Sequence, residues 1–522
     1  MAIECKRDLL KLDQVVGEET SQALIEGEIN IPETKAPIAR VLDISGEVVI
    51  SSREVIQDKV MVEGVLRYDV LYVPEGEASV DVMDAEIGFT QYLDMPGVKP
   101  KMASQLKLAI EHMDYELVSG RRLSVKSVLN LYGQVSQILE LDAVKGFTDL
   151  EDVEVLKDRI HARSSAGAGH SQTMVREDLE LSESMPSIKK ILRKDIKVKV
   201  TEKKVMDNKV IVHGDMTAKL LYLCDDEEEP VHYINHNIPF SHFVDIPGAY
   251  QGMDCIVDVN VAEFYADPRE NINNELRIID AEVIISLDAQ IFEAIEGDIL
   301  VDAYSPTVAM TLKKKKIKLQ QFVGESQGQT VVKESLVFPE GASRARKILY
   351  VDTKPFVTDE RIEEGRVVIE GILSTQVVYQ TNDAGPLIGS FREDIPFKQS
   401  LEINGIDGDM DCESDVVEEH VGFTLLAPGE VELKIALLGK SVVSRTIEKD
   451  VLIGADEADQ AFAKDGGIYI YFVQPDDNLW AIAKKYNTTI TTILKYNILE
   501  DHSKLITGSK LMIFKKLDTS VV

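Results

Sequence analysis

The chain has little of what marks several protein classes. Its 522 residues include four cysteines, one tryptophan and 57 basic residues against 90 acidic ones. Cys5, Cys224, Cys255 and Cys412 form neither a CxxC spacing nor a dense framework. That pattern argues against a disulfide scaffold and fits a reducing compartment. A net charge of −33 argues against nucleic-acid binding, which relies on Lys and Arg to neutralise phosphates. It also disfavours broad contact with an anionic membrane. No run of about 18 apolar residues could span a bilayer, and the opening MAIECKRDLLKL lacks the apolar core of a secretory signal. The expectation is a soluble intracellular protein with no integral membrane segment and no nucleic-acid partner.

Catalytic patterns are scarce as well. There is no GxxxxGK[ST] and no HExxH, and GAGHSQ lacks the GxSxG spacing of a nucleophile elbow. His232, His236 and His242 gather in HYINHNIPFSHF, but no Cys or carboxylate completes a ligand set there. They read as surface or partly packed histidines, so neither a metal nor a cofactor is expected. KKKKIK (313–318) could meet phosphates or lipid headgroups; the preferred reading is a strand edge guarded by lysine. A non-enzymatic protein is expected.

Repetition is what the chain has. VEGVLRYDVLYV (62–73), VHGDMTAKLLYL (212–223) and IEGILSTQVVYQ (369–380) each place a Gly eight residues before a Tyr. IGFTQYLDMPGV (87–98), IPFSHFVDIPGA (238–249) and IPFKQSLEINGI (395–406) each place a Phe eight residues before a Gly. Upstream, LKLDQVVGE (10–18) matches IKLQQFVGE (317–325) at the offset that relates Gly64 to Gly371. Three long units are implied, over 1–155, 156–312 and 313–453. From Val60 to Tyr72 apolar and polar residues alternate with the period of a half-buried strand. Gly64 inside that run predicts a bulge or a close backbone approach. The units are therefore β-rich, and each is large enough to be a domain. ARSSAGAGHSQ (162–172) is expected to be a loop, and 454–467 a hinge.

The region 468–516 is not a copy of the repeat. IYIYFVQ alternates as a strand, and Asp477 is expected to cap a helix with Leu479, Ile482, Ala483 and Tyr486 on one face. Ile490, Ile493, Leu494 and Asn497 repeat that spacing, and KLMIFKK closes as a strand. The fold class expected is mainly β, α+β overall: three tandem β-rich domains and a small βααβ module. This module holds seven Lys and four Asp or Glu, a net of +3, against −36 for the remainder.

The module resembles a LysM domain. Tyr471, Val473, Asp477, Leu479, Ile482, Ala483, Tyr486, Asn497, Gly508, Leu511 and Ile513 match the pattern Y-x-V-x-x-G-D-T-L-x-x-I-A-x-x-Y, L-x-x-x-N, G-x-x-L-x-I-P. Such domains as a family bind N-acetylglucosamine-containing glycans in a groove between the first strand–helix loop and the loop before the last strand. This copy departs there: Asp476-Asp477-Asn478 stands for Gly-Asp-Thr, and Phe514 for the terminal Pro. Replacing Gly by Asp removes the close approach glycine allows beside a ligand.

Three repeats followed by this module resemble the SPOCS-domain, SipL-like clostridial spore coat morphogenetic proteins. The resemblance implies a mother-cell protein at the forespore surface. It also implies binding to the coat-basement ATPase SpoIVA through the LysM module, with other coat proteins as further candidate partners. Trp480 falls between letters of the LysM pattern. It either packs the small core or reaches the groove edge as an anchor, a role in which Trp is enriched. Trp480 and Ile468 are expected as partner contacts, with Asp476, Asp477 and Asn478 shaping the loop. The alternative is a peptidoglycan- or N-acetylglucosamine-oligomer-binding protein.

Overall fold

A computed structural model describes residues 2–76, 79–226, 229–381, 388–458, 467–499 and 505–515. The first unit is built from β1 (Cys5–Asn30), β2 (Ile38–Ile56), β3 (Lys59–Pro74), β4 (Asp81–Asp94), β5 (Ala103–Ser119) and β6 (Arg122–Phe147). The second repeats it as β7 (Glu154–Glu180), β8 (Lys190–Met206), β9 (Lys209–Leu223), β10 (Val231–Asp245), β11 (Asp254–Glu270) and β12 (Leu276–Tyr304). The third comprises β13 (Met310–Val337), β14 (Ala345–Glu363), β15 (Arg366–Thr381), β16 (Ile388–Glu402), β17 (Asp411–Ala427) and β18 (Glu430–Glu457). Each unit folds into two antiparallel three-stranded sheets, ordered β1-β6-β5 and β2-β3-β4 in the first and equivalently in the others. The alternating side chains of β3, Val60, Val62, Leu66, Tyr68, Val70 and Tyr72, are buried between those sheets.

The recurring boxes have a single physical explanation. Gly64 pairs directly with Phe89, Gly214 with Phe240 and Gly371 with Phe397. In each pair the phenyl ring lies over the glycine, and a Cβ there would strike the ring and a carbonyl of the neighbouring strand. Opposite each glycine that neighbour carries a bulge, at Ile50/Ser52, Val200/Glu202 and Val357/Asp359. Of the two alternatives expected at Gly64, the close backbone approach is present there, and the bulge lies on the adjacent strand β2 instead. The glycines that close the second box, Gly97, Gly248 and Gly405, turn with φ of 96°, 90° and 80°, which only glycine adopts freely.

Two expectations are corrected. Residues 162–172 form no loop; they lie in β7 and pair with β12, apart from a bulge at Ala166. Their small side chains are required because the second sheet crosses them: a Cβ on Gly169 would sit 2.6 Å from the Asp245 carbonyl oxygen. Of the stretch expected as a hinge, residues 454–457 belong to β18, and residues 459–466 lie outside the described ones.

The units are not beads on a string. Their first strands contact one another pairwise, as do their last, so the arrangement is closed and pseudo-threefold. Leu42, Leu71, Leu192, Leu221, Leu349 and Val378 meet at one shared centre, and Leu12, Leu141, Ile160, Ile299, Ile317 and Val451 at another. The Ile3 N–H donates to the Ala455 carbonyl at 3.0 Å, joining the first unit to the last strand of the third. Beside the first centre, Asp43, Arg193 and Tyr350 each follow the same bulge in β2, β8 and β14. Asp43 accepts from both Arg193 and, at 2.9 Å, the Tyr350 hydroxyl, and Arg193 also reaches Asp352 at 3.0 Å.

Candidate protein-interaction site

The terminal module consists of β19 (Gly467–Phe472), α1 (Leu479–Lys485), α2 (Ile490–Tyr496) and β20 (Lys510–Lys515). Val473, Leu479, Ile482, Ala483, Ile493, Leu511 and Ile513 fill its core. The helix cap is Asn478, not Asp477: its side chain accepts the Ala481 N–H at 2.8 Å. Asp477 is occupied elsewhere, accepting the Tyr471 hydroxyl and the Gln474 N–H at 2.7 Å each. The backbone donor and the Tyr471 hydroxyl hold its carboxyl below the ordinary value. Asp476 has φ of 65°, the conformation for which the family pattern supplies Gly; Asp is among the few other residues that tolerate it. The chain therefore keeps the loop shape without the glycine. Asn497 ends α2 and ties it to β20, donating to the Ile493 and Met512 carbonyls and accepting the Met512 N–H at 2.7 Å.

Trp480 stands against the chain's own second unit. Its indole N–H donates to Asp302 at 2.9 Å, and its ring meets Tyr304 edge-on with centroids 5.0 Å apart. Such an aromatic pair contributes about 0.5–1.5 kcal/mol beyond its burial. Lys484 holds the same carboxylate at 2.6 Å, and Lys314 at 3.2 Å. Burial pushes the Asp302 carboxyl up, but the hydrogen bonds from Lys484 and Trp480 and the Lys484 charge outweigh it and keep it below its ordinary value. Tyr304, only 5% exposed, is part of the module's core and donates to the Thr488 carbonyl at 2.8 Å. The docking site is specific to the second unit. The position just past the bulge shared by the last strands is Asp302 in β12, but Gly146 in β6 and Gly454 in β18.

The opposite side of the module is apolar and open. Ile468, Ile470, Phe472 and Met512 are 65%, 63%, 49% and 45% exposed. They share the outer face of the two-stranded sheet, since Ile468 pairs with Phe514 and Ile470 with Met512. Phe514 packs against Tyr496 with the rings tilted and their centroids 4.0 Å apart. Lys510 lies over the Phe472 ring at 5.7 Å and Lys495 over Tyr496 at 5.5 Å, so lysines rim the patch. Of the residues singled out from sequence, Ile468 is on this face, and Asp476, Asp477 and Asn478 form the loop before α1. Ile470, Phe472 and Met512 were missed. The signal was legible: IYIYF and LMIF are apolar at both phases of a strand, whereas a half-exposed strand alternates.

Three SPOCS matches and one LysM match decide the architecture. The family description "SipL, SPOCS domain" fits residues 37–118, 187–268 and 344–426, and the LysM domain fits 471–514. The architecture is SipL-like. Each SPOCS match spans β2–β5 or its equivalents, leaving outside it the first and last strands of each unit. No curated protein and no solved structure matches the chain. SPOCS and LysM are non-catalytic families.

The remaining sequence features lie outside the LysM site. His232 stacks on Tyr222, and His242 shares a hydrogen bond with Ser171 at 2.8 Å. Lys313 and Lys318 pair across the ladder with Asp456 and Glu448, on the edge strand β13. A GxSxG spacing does occur, at Gly324–Gly328, contrary to expectation. It is a mid-strand stretch of β13 in which Ser326 pairs with Ser441, not the strand-to-helix turn a nucleophile elbow needs. Among the described residues no helix is long and apolar enough to cross a membrane.

Proposed function

We infer that a chain whose SPOCS and LysM domains fit a sporulation-related or peptidoglycan-binding protein acts in sporulation. We propose that the chain is a non-enzymatic scaffold of spore coat morphogenesis. It works in the mother-cell cytoplasm at the forespore surface, binds a SpoIVA-like coat ATPase through its LysM domain and promotes coat encasement. Other coat proteins are candidates for the remaining surface. The observation that carries this reading is the lysine-rimmed apolar face of Ile468, Ile470, Phe472 and Met512. A solvent-facing patch of this kind on a small domain marks a protein contact.

The experiment is capture of the purified ATPase by the full-length protein and by its Ile470→Glu and Phe472→Glu variants. Each variant is expected to bind at least about tenfold more weakly, the loss typical of a buried interface anchor. Unchanged capture by both would remove the sheet face from the interaction. The glycan reading retains one supporting observation: the groove-bordering residues Asp476 and Ile506 are exposed. Saturable binding of N-acetylglucosamine oligomers by the full chain would favour it.

A further inference from the structure

Resting on that reading, we infer that Asp302 and Tyr304, at the end of the last strand of the second unit, are positioning residues for partner binding. They fix the LysM domain so that its apolar sheet face points away from the body. Trp480 then acts through its own chain and not by touching the partner.

The geometry supports this step by step. The indole N–H and the Lys484 ammonium converge on one carboxylate whose side chain is 15% exposed, and Lys314 completes its partners. A half-buried side chain engaged at both its ring and its polar tip is not presented to a second protein. The docking uses α1 and the turn before α2, where Tyr304 meets Thr488. The exposed residues Ile468, Ile470, Phe472 and Met512 are on the two strands instead. A partner can therefore cover the sheet while the docking stays closed. Holding the domain in one orientation lowers the ordering cost that a loosely tethered module would meet on binding. The code is local to this joint, because the equivalent positions in the first and third units are Gly146 and Gly454, which offer Trp480 and Lys484 no carboxylate.

The single tryptophan supplies the probe. Full-length protein labelled with 5-fluorotryptophan gives one fluorine resonance, from Trp480. Asp302→Lys is expected to shift that resonance in the protein alone. An unmoved resonance would overturn the docking, whatever the partner does. Binding of the ATPase is then measured for Trp480→Phe, Asp302→Lys and the double variant. Each single change is expected to weaken binding about tenfold, and the double change no further, because residues acting through one contact are non-additive. Lys484→Glu combined with Asp302→Lys is expected to restore binding, which a merely misfolded variant would not do. Additive losses, or an Asp302→Lys variant that binds as well as the parent or better, would show Trp480 contacting the partner and overturn the inference. A parent protein that fails to bind the ATPase would sink the proposed function and the positioning role together, leaving the resonance shift to judge the docking alone.

Discussion

Inside the repeats the same solution is written three times, with Gly64 under Phe89, Gly214 under Phe240 and Gly371 under Phe397. Between the repeats the apolar contact of Leu42, Leu192 and Leu349 recurs, but the polar contacts beside it do not: the position after the shared bulge carries Asp43, then Arg193, then Tyr350. The strand pair beside it differs too, being Asp69 with Asp84, Lys219 with Asn235 and Gln376 with Arg392. The first joint brings Asp43 to Arg193. The second sets Lys197 and Lys219 against Glu418, and the third uses Arg392 on the Ile44 and Met113 carbonyls, each at 3.2 Å. Sameness within a unit preserves a fold, and difference between units assigns each its neighbour. Identical joints would let any repeat pair with any other, including one from a second chain.

The comparison breaks most sharply at Arg193. Arg193→Ala leaves the buried Asp43 without its cation and Asp352 with only Lys197, at 3.8 Å, and is expected to cost about 3–5 kcal/mol of stability, read from denaturant unfolding. Replacing Arg193 and its acidic partners together by apolar residues of similar volume should cost far less. Sameness within the units is tested next. Gly64→Ala, Gly214→Ala and Gly371→Ala each press a methyl into a ring and a carbonyl and are expected to cost about 1–3 kcal/mol. Their effects should agree with one another more closely than those of any three substitutions at the joints.

The smallest effect depends on pH. Burial pushes the Asp69 carboxyl up to about 6, and Asp84 directly opposite adds to the shift. A carboxyl raised on folding binds its proton more tightly in the folded chain, so its contribution is lost as pH rises from its unfolded value towards about 6. Asp69→Asn should match the parent below about pH 4 and be more stable by about 1–2 kcal/mol above pH 6. Equal stability of the two at pH 7 would mean that Arg193 and Lys194 already neutralise the site.

Much of this was legible in the sequence because strands announce themselves locally. The alternation of Val60 to Tyr72 and the Gly and Phe boxes follow from burial on one face and crossing backbones on the other. Legibility failed where the cause was distant. Gly167 and Gly169 read as a loop because the Asp245 and Ile246 that demand small residues lie some seventy-five residues on. Asp477 and Asn478 have equal capping chemistry, and only the Tyr471 hydroxyl takes Asp477 out of contention. For Trp480 the sequence offered a choice between core and partner, and the structure places it on Asp302, a residue with no local mark. The apolar phase of Ile470, Phe472 and Met512 was visible but hidden beneath the family pattern of the alternate residues.

The contact of Ile3 with Ala455 has a consequence for synthesis. As the polypeptide leaves the ribosome, its opening residues wait for nearly the whole body to be translated before their final neighbour exists. Until then the first two repeats carry the stripe around Leu12 and Ile160 without the Ile317 and Val451 that cover it. The nascent protein is therefore adhesive until its third copy emerges, and three copies complete the enclosure. Copy number here is counted by geometry: a two-repeat version would have to borrow the missing wedge from another molecule.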